Sequence, residues 1–207
     1  MMGKSGMVLV AIVVVAWAGV ARADDSVPEL YRQSYALEAK GDYEGAIGRM
    51  SAVAANGAAD YVAALRTGWL LYLAGRYAEA EAAYRKAMSL EPAAVEPKMG
   101  AMLPLMALRR WKEAERLGDE VLRAAPGESV VMGRMAYIQF MLGSYEKAEA
   151  WYRKVLAAFP GNVEMRAGLG WCLLKQNRFQ PAKAEFDRVL SFAPDNAAAK
   201  EGRGLIP

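Results

Sequence analysis

Gly75-Arg-Tyr-Ala-Glu-Ala-Glu-Ala-Ala-Tyr-Arg-Lys-Ala-Met-Ser-Leu-Glu-Pro92 reads as a turn, an Ala-rich helix and a proline stop. Its parts return along the chain. Ala46, Ala80, Ala114, Ala148 and Ala182 stand 34 residues apart, and three residues before each stands Tyr43, Tyr77, Trp111, Tyr145 or Phe179. Pro92, Pro126, Pro160 and Pro194 keep the same step. This ruler divides the chain into repeats 27–60, 61–94, 95–128, 129–162 and 163–196, followed by a partial unit at 197–207. Within each repeat, two stretches place apolar residues at helical spacing. In four repeats a turn between them is marked by Gly41, Gly75, Gly143 or Asn177. Two helices with one apolar stripe each make a hairpin that cannot bury its face alone, so the hairpins must stack.

The bulk composition agrees with a packed protein: 55% of the 207 residues are hydrophobic and 24% charged. The net charge of +3 comes from 26 basic and 23 acidic residues, too even a balance for the dense basic patch of a nucleic-acid binder. With no histidine and one cysteine, the sequence offers no His/Cys zinc site, no His-activated nucleophile and no intrachain disulfide.

The first residues read differently. Lys4 precedes an apolar run from Met7 to Val20, and Ala21-Arg22-Ala23 gives a small-x-small cleavage pattern before Asp24-Asp25. Residues 1–23 are therefore expected to be a secretory signal peptide cut after Ala23. The alternative is a membrane anchor, but the run falls short of the ~20 residues a spanning helix needs, and no basic stop-transfer cluster follows. Cleavage leaves 24–207, nearly neutral and without a transmembrane span. The bacterial periplasm is the simplest destination, with secretion as the other.

The repeat resembles the tetratricopeptide repeat, a helix–turn–helix unit of 34 residues. With places counted from the start of each repeat, the small eighth residue appears as Ser34, Gly68, Ala136 and Gly170, with Met102 departing. The aromatic twenty-fourth is Tyr84, Tyr152 and Phe186, with Met50 and Gly118 departing. Alanine holds the twentieth place throughout, and proline the thirty-second in repeats two to five. The resemblance covers 27–196 and implies an all-α fold, a right-handed α-solenoid of about five hairpins. Small residues allow close helix approach, the aromatic fills the gap between repeats, and proline ends the second helix.

Two departures carry expectations. Pro104 falls inside the first helix of repeat three, at a usual cost of ~3 kcal/mol. With Lys98, Met102 and Gly118 at unusual places, it predicts a kinked, weakly packed central repeat and a hinge between its neighbours. Residues 197–207 hold only about two helical turns, weakened by Gly202 and Gly204, so the sequence leaves open whether they dock as a cap or fray.

No catalytic constellation is present. Glu79/Glu81, Glu113/Glu115 and Glu146/Glu149 recur with the repeat, as solvated helix residues paired to Lys or Arg do. Cys172 reads as a small core thiol. No cofactor or metal site is expected. The resemblance assigns the second, fifth, ninth, twelfth and thirteenth places to a concave face. Here they give Tyr31 and Tyr35 in repeat one, and Leu65, Trp69, Tyr72 and Leu73 in repeat two. Repeat three supplies Met99, Leu103 and Met106, repeat four Tyr137, Phe140 and Met141, and repeat five Trp171 and Leu174.

A contiguous apolar strip of this kind marks an interaction site. Arg32, Arg66 and Arg134 share the sixth place, where they are positioned to meet a partner's carboxylates. The Lys/Asn clamp that some family members use for acidic peptide tails is absent from the fifth and ninth places. The expected function is a non-enzymatic adaptor that holds an apolar or amphipathic partner segment, by resemblance in envelope assembly or export. A carrier of lipid or another small apolar ligand, and a self-associating structural protein, are the alternatives.

Overall fold

A computed structural model describes residues 26–57 and 60–207; the expected signal peptide lies outside them. Among the described residues the chain forms eleven helices and no strands. Repeat one holds α1 (Val27–Glu38) and α2 (Tyr43–Ala55), and repeat two holds α3 (Tyr61–Leu73) and α4 (Tyr77–Leu90). Repeat three holds α5 (Glu96–Ala107) and α6 (Trp111–Ala124), and repeat four α7 (Ser129–Met141) and α8 (Tyr145–Ala158). Repeat five holds α9 (Val163–Lys175) and α10 (Phe179–Phe192), and α11 (Ala197–Gly204) follows. Each helix packs on its neighbours in sequence, so the array is an all-α solenoid. No helix of the described residues is long and apolar enough to cross a membrane.

The helix ends follow from the residues placed there. In every repeat the fifteenth residue adopts the left-handed conformation: Gly41, Gly75, Arg109, Gly143 and Asn177. The next N–H then reaches back over the turn, as Arg76 N to Leu71 O at 2.9 Å and Arg178 N to Leu173 O at 2.9 Å, which satisfies carbonyls the first helix would leave open. The second helix stops two residues before its proline. Glu91, Ala125, Phe159 and Ala193 sit near φ −130°, the extended backbone forced on a residue preceding proline.

All five twentieth-place alanines are completely buried. They let the two helices of each hairpin approach closely, and the twenty-fourth-place aromatic closes the joint to the next repeat. Tyr84 fills a slot between Gly68 and Gly100, Tyr152 packs against Gly168, and Phe186 sits between Gly170 and Gly202; none of these glycines has room for a Cβ without displacing the ring. Charged residues lace the same joints. Arg76 bridges Glu44 of repeat one and Glu79, Arg110 bridges Glu81 of repeat two and Glu113, and Arg178 reaches Glu149 of repeat four. The recurring acidic residues thus pair with Arg or Lys on their own helix, as expected, and Glu81 and Glu149 reach across to the next repeat as well.

The central repeat is not loose. α5 runs unbroken through Pro104, which is buried, and Ala101, Met102 and Leu105 beside it are 0–2% exposed. Met102 and Gly118 exchange the usual roles of small and large residue. Met102 reaches into the space above Gly118, and Met135 of repeat four fills the remainder. Volume is conserved, so the joint packs without its aromatic.

The C-terminal segment docks. Asn196 caps α11 by accepting from Ala199 N at 2.9 Å, Ala199 is fully buried, and Arg203 pairs with Asp187 at 2.8 Å. Gly202, a helix-weakening residue in isolation, is the one residue type that fits beneath Phe186.

Candidate functional site

Two cavities open on the face formed by the first helices. The larger, about 880 Å³, extends from Met106 on α5 across α7 and α9 to Asn196, Ala198 and Glu201 at α11. Its floor is Tyr152 and Val155 of α8 and Phe159 just after it, seen between α7 and α9. Small residues make the gap: Gly133 and Ala167 hold the fifth place in repeats four and five, where repeats one to three carry Tyr31, Leu65 and Met99. The smaller cavity, about 300 Å³, is bordered by Tyr35, Leu65, Arg66, Trp69 and Tyr84.

The aromatic rims are held in place. Trp171 donates its indole N–H to Ala198 O at 3.1 Å and lies edge-on to Phe186 with ring centroids 6.0 Å apart. Tyr137, 44% exposed, lies edge-on to Trp111 at 5.9 Å, and Phe140 does so to Tyr145 at 5.4 Å. Trp69 donates to Glu38 Oε1 at 2.7 Å, and its ring lies 5.9 Å from Tyr72. These contacts fix side-chain rotamers before any partner arrives, which lowers the entropy cost of binding.

The structure sorts the residues expected on this face. Met106, Arg134, Tyr137, Phe140 and Trp171 line the larger cavity, and Tyr35, Leu65, Arg66 and Trp69 the smaller. Met141 is exposed but borders neither, whereas Tyr31, Met99 and Leu103 are half-buried. Tyr72 is wedged between Trp69 and Tyr77. Leu174 is a correction: it is 9% exposed and belongs to the core beneath α9, because the twelfth place there turns inward against its neighbours.

The two arginines are a second correction. Arg66 is 8% exposed, donates through Nε to Ser34 Oγ at 3.0 Å, pairs with Glu38 at 3.0 Å and lies 3.5 Å over the Tyr35 ring. Arg134 donates to Met99 O at 2.5 Å. Burial lowers its pKa, opposed by Tyr72, Tyr84 and Glu128 nearby. Neither extends into solvent as a free guanidinium. Both follow repeats that lack the twenty-fourth-place aromatic; where Tyr84, Tyr152 or Phe186 is present, the following sixth place is Gly100, Gly168 or Gly202.

Groove residues also appear that the pattern left unnamed. Val62 and Val130 hold the second place, both 51% exposed, each at a cavity edge. Place number alone was sufficient to find them. Phe159, 49% exposed on the floor, precedes Pro160, and nothing in the repeat pattern marks it. Cys172 is fully buried, with its thiol pushed up to about 12 chiefly by burial, so it carries no nucleophile chemistry at neutral pH.

Three sequence models described as tetratricopeptide repeat match residues 62–94, 105–163 and 140–206, which together span most of the array. The chain belongs to the tetratricopeptide repeat family. Solved structures agree on the fold of this tetratricopeptide-repeat chain. A tetratricopeptide repeat protein from Parabacteroides merdae superposes with TM-score 0.76 at 20% identity over 86% of this chain and 70% of its own. MamA from Desulfovibrio magneticus does so with TM-score 0.76 at 18% identity, over 86% and 99%. YrrB, described as a tetratricopeptide repeat protein with an unusual peptide-binding site, matches with TM-score 0.64 at 22% identity, over 75% and 80%. No curated protein sequence matches the chain. The solenoid is thus a scaffold of the kind that binds protein partners.

Proposed function

We propose that this protein is a non-enzymatic adaptor that holds an apolar or amphipathic segment of a partner protein in its concave groove. The observation that carries this reading is the cavity of about 880 Å³ between α7 and α9, with an aromatic rim already locked by internal contacts. A soluble surface this apolar is a place where a partner removes area from water, at about 25 cal/mol per Å². YrrB's peptide-binding site is consistent support from the same fold. An adaptor also suits side chains that are spent on structure: the cross-repeat carboxylates are ion-paired and the thiol is buried. By its leader-like residues 1–23, the protein works in the periplasm, in envelope assembly or export.

Photo-crosslinking in intact cells tests this. A benzophenone side chain replacing Val130, at the edge of the cavity, is expected to capture one defined polypeptide. The same group replacing Leu90, exposed on α4, is not. The adduct should vanish when Tyr137→Ala and Trp171→Ala are combined in a protein of unchanged helicity. An adduct that survives this pair refutes groove binding. The cavity volume also lies within the range of about 300–1,000 Å³ usual for small-molecule sites, which favours a lipid carrier as the second reading. Native mass spectrometry that finds co-purified lipid in place of a polypeptide adduct would select it.

A further inference from the structure

The carboxylates at the joints are spent on arginines, but two at the mouth of the larger cavity are not. Glu164, in the first turn of α9, and Glu201 on α11 are exposed, and neither side chain has a partner among the described residues. Lys175, the last residue of α9, is likewise exposed and unpaired. All three border the cavity. Arg134, the remaining charged side chain of the lining, is turned to α5, where it donates to Met99 O. Along α9 the groove face therefore reads carboxylate, small residue, ring, ammonium: Glu164, Ala167, Trp171 and Lys175. Their steps of three and four residues keep them on one side of the helix. Glu164 and Lys175 stand eleven residues apart, or about 16.5 Å along the axis.

The walls decide the conformation of what fits between these ends. They are helices, with their N–H and C=O groups bonded internally, so the trough offers no strand edge for an extended chain to join. An extended guest would carry unpaired N–H and C=O groups into apolar surroundings, whereas a helix arrives with these groups paired. A helix also reaches the charges. Positions eleven apart on a helix lie within about 20° of the same side, so a carboxylate and a cation at that spacing flank a single apolar stripe. Direction follows from the helix dipole. An acidic first turn and a basic last turn suit the guest's own helix, and they meet Lys175 and Glu164 only when the guest runs antiparallel to α9. The two macrodipoles then oppose one another, which is favourable as well. The same guest running parallel to α9 would set like charge against like at both ends.

We infer that the larger cavity takes an amphipathic helix running antiparallel to α9, with carboxylates in its first turn and lysine or arginine about eleven residues later in its last. This rests on the groove reading above and adds the conformation, direction and charge order of the partner. The guest's apolar stripe lies between Tyr137 and Trp171, over Tyr152 and Val155 of the floor. Its cationic end meets Glu164 and Glu201, and its acidic end meets Lys175. These rim charges are exposed, so they set direction more than affinity, and salt weakens the preference.

Fluorescence anisotropy of the purified protein with two peptides of about sixteen residues is the test. Both carry leucine along one helical stripe in an alanine and glutamine background. The forward peptide has two glutamates in its first turn and two lysines in its last, and the reversed peptide exchanges them. At low salt the forward peptide should bind at least about fivefold more tightly, and most of that difference should vanish at about 0.5 M salt. The charge-reversed protein, with Glu164→Lys, Lys175→Glu and Glu201→Lys combined, should invert the preference, a comparison that cancels any difference in the peptides' own helicity. Combining Tyr137→Ala with Trp171→Ala should weaken both peptides about tenfold. Circular dichroism confirms the fold of each variant and should show peptide helicity rising on binding. Equal affinities for the two peptides, or a preference that the charge-reversed protein leaves unchanged, overturn the inference. If both peptides are then still lost with the Tyr137/Trp171 pair, the groove reading stands, whereas binding that ignores this pair sinks that reading as well. A peptide that loses helicity on binding, or no binding of either, also overturns the inference.

Discussion

Arg109 is the side chain most at odds with its backbone. It occupies the fifteenth place of repeat three with φ 57°, where three other repeats carry glycine. For a residue with a Cβ this conformation costs about 1–2 kcal/mol, and the tight turn demands it regardless. Arg109→Gly removes that cost while adding some unfolded-state entropy. The expected outcome is a gain of roughly 1 kcal/mol, seen as a rise of about 2–4 °C in thermal midpoint. Asn177→Gly should change less, because asparagine tolerates the left-handed region. Equal midpoints for Arg109→Gly and the parent would show that the arginine turn is unstrained.

At the scale of the element, α5 shows how a helix with a proline in its middle remains a sound part of the array. Pro104 leaves the helix continuous because its neighbours Met102 and Leu105 are locked into the joint with α6 and α7. The Met102/Gly118 exchange makes that joint a coupled pair. Met102→Ala alone should cost about 2–4 kcal/mol as a cavity forms. Gly118→Phe alone should also destabilise, since its ring would strike Met102 and Met135. Together they restore the family's usual small-and-aromatic arrangement. The double variant should therefore lose at least about 0.5 kcal/mol less than the sum of the singles. Additive losses in urea titrations would contradict the exchange.

The same pair explains why sequence reading expected a loose repeat: each residue looks wrong at its own place, and the compensation lies sixteen positions away. Helix ends were easier to read, since Pro92, Pro126, Pro160 and Pro194 act through local backbone sterics. The groove was legible only in part. Tyr137 and Trp171 announced themselves as side chains, but the large cavity is made by what Gly133 and Ala167 lack. Arg66 and Arg134 looked like bait for a partner because their own place says nothing of burial; the clue lay one repeat earlier, where Met50 and Gly118 stand instead of the aromatic.

Over the whole molecule, acid should loosen many joints together. Hydrogen bonds from Arg76 and Arg110 hold Glu79 and Glu113 below the ordinary carboxylate value of 4.5. For Glu115 and Glu149 burial pulls upward, but Gln139 with Lys112, and Gln176 with Arg153 and Arg178, outweigh it and keep both low. A carboxylate with a depressed folded pKa stabilises fully above its unfolded pKa and loses that contribution as pH falls through the folded value. The thermal midpoint should therefore hold steady from pH 8 to pH 6, there being no histidine to titrate, and decline below about pH 4.5. A midpoint that drops between pH 7 and 6 would contradict this assignment.

The ring-and-glycine joint also bears on how such a chain can change length. Each junction is keyed: Tyr84, Tyr152 and Phe186 each require a glycine in the sixth place of the unit that follows. Loss of repeat five would bring Tyr152 onto Gly202, a matched key, and loss of repeats three and four together would bring Tyr84 onto Gly168, also matched. Loss of repeat three alone would drive Tyr84 against Arg134, and loss of repeat four alone would leave Gly118 facing Gly168 across an empty seam. Only certain shortened descendants of this array inherit a sealed core, and the permitted cuts are written in which glycine follows which ring.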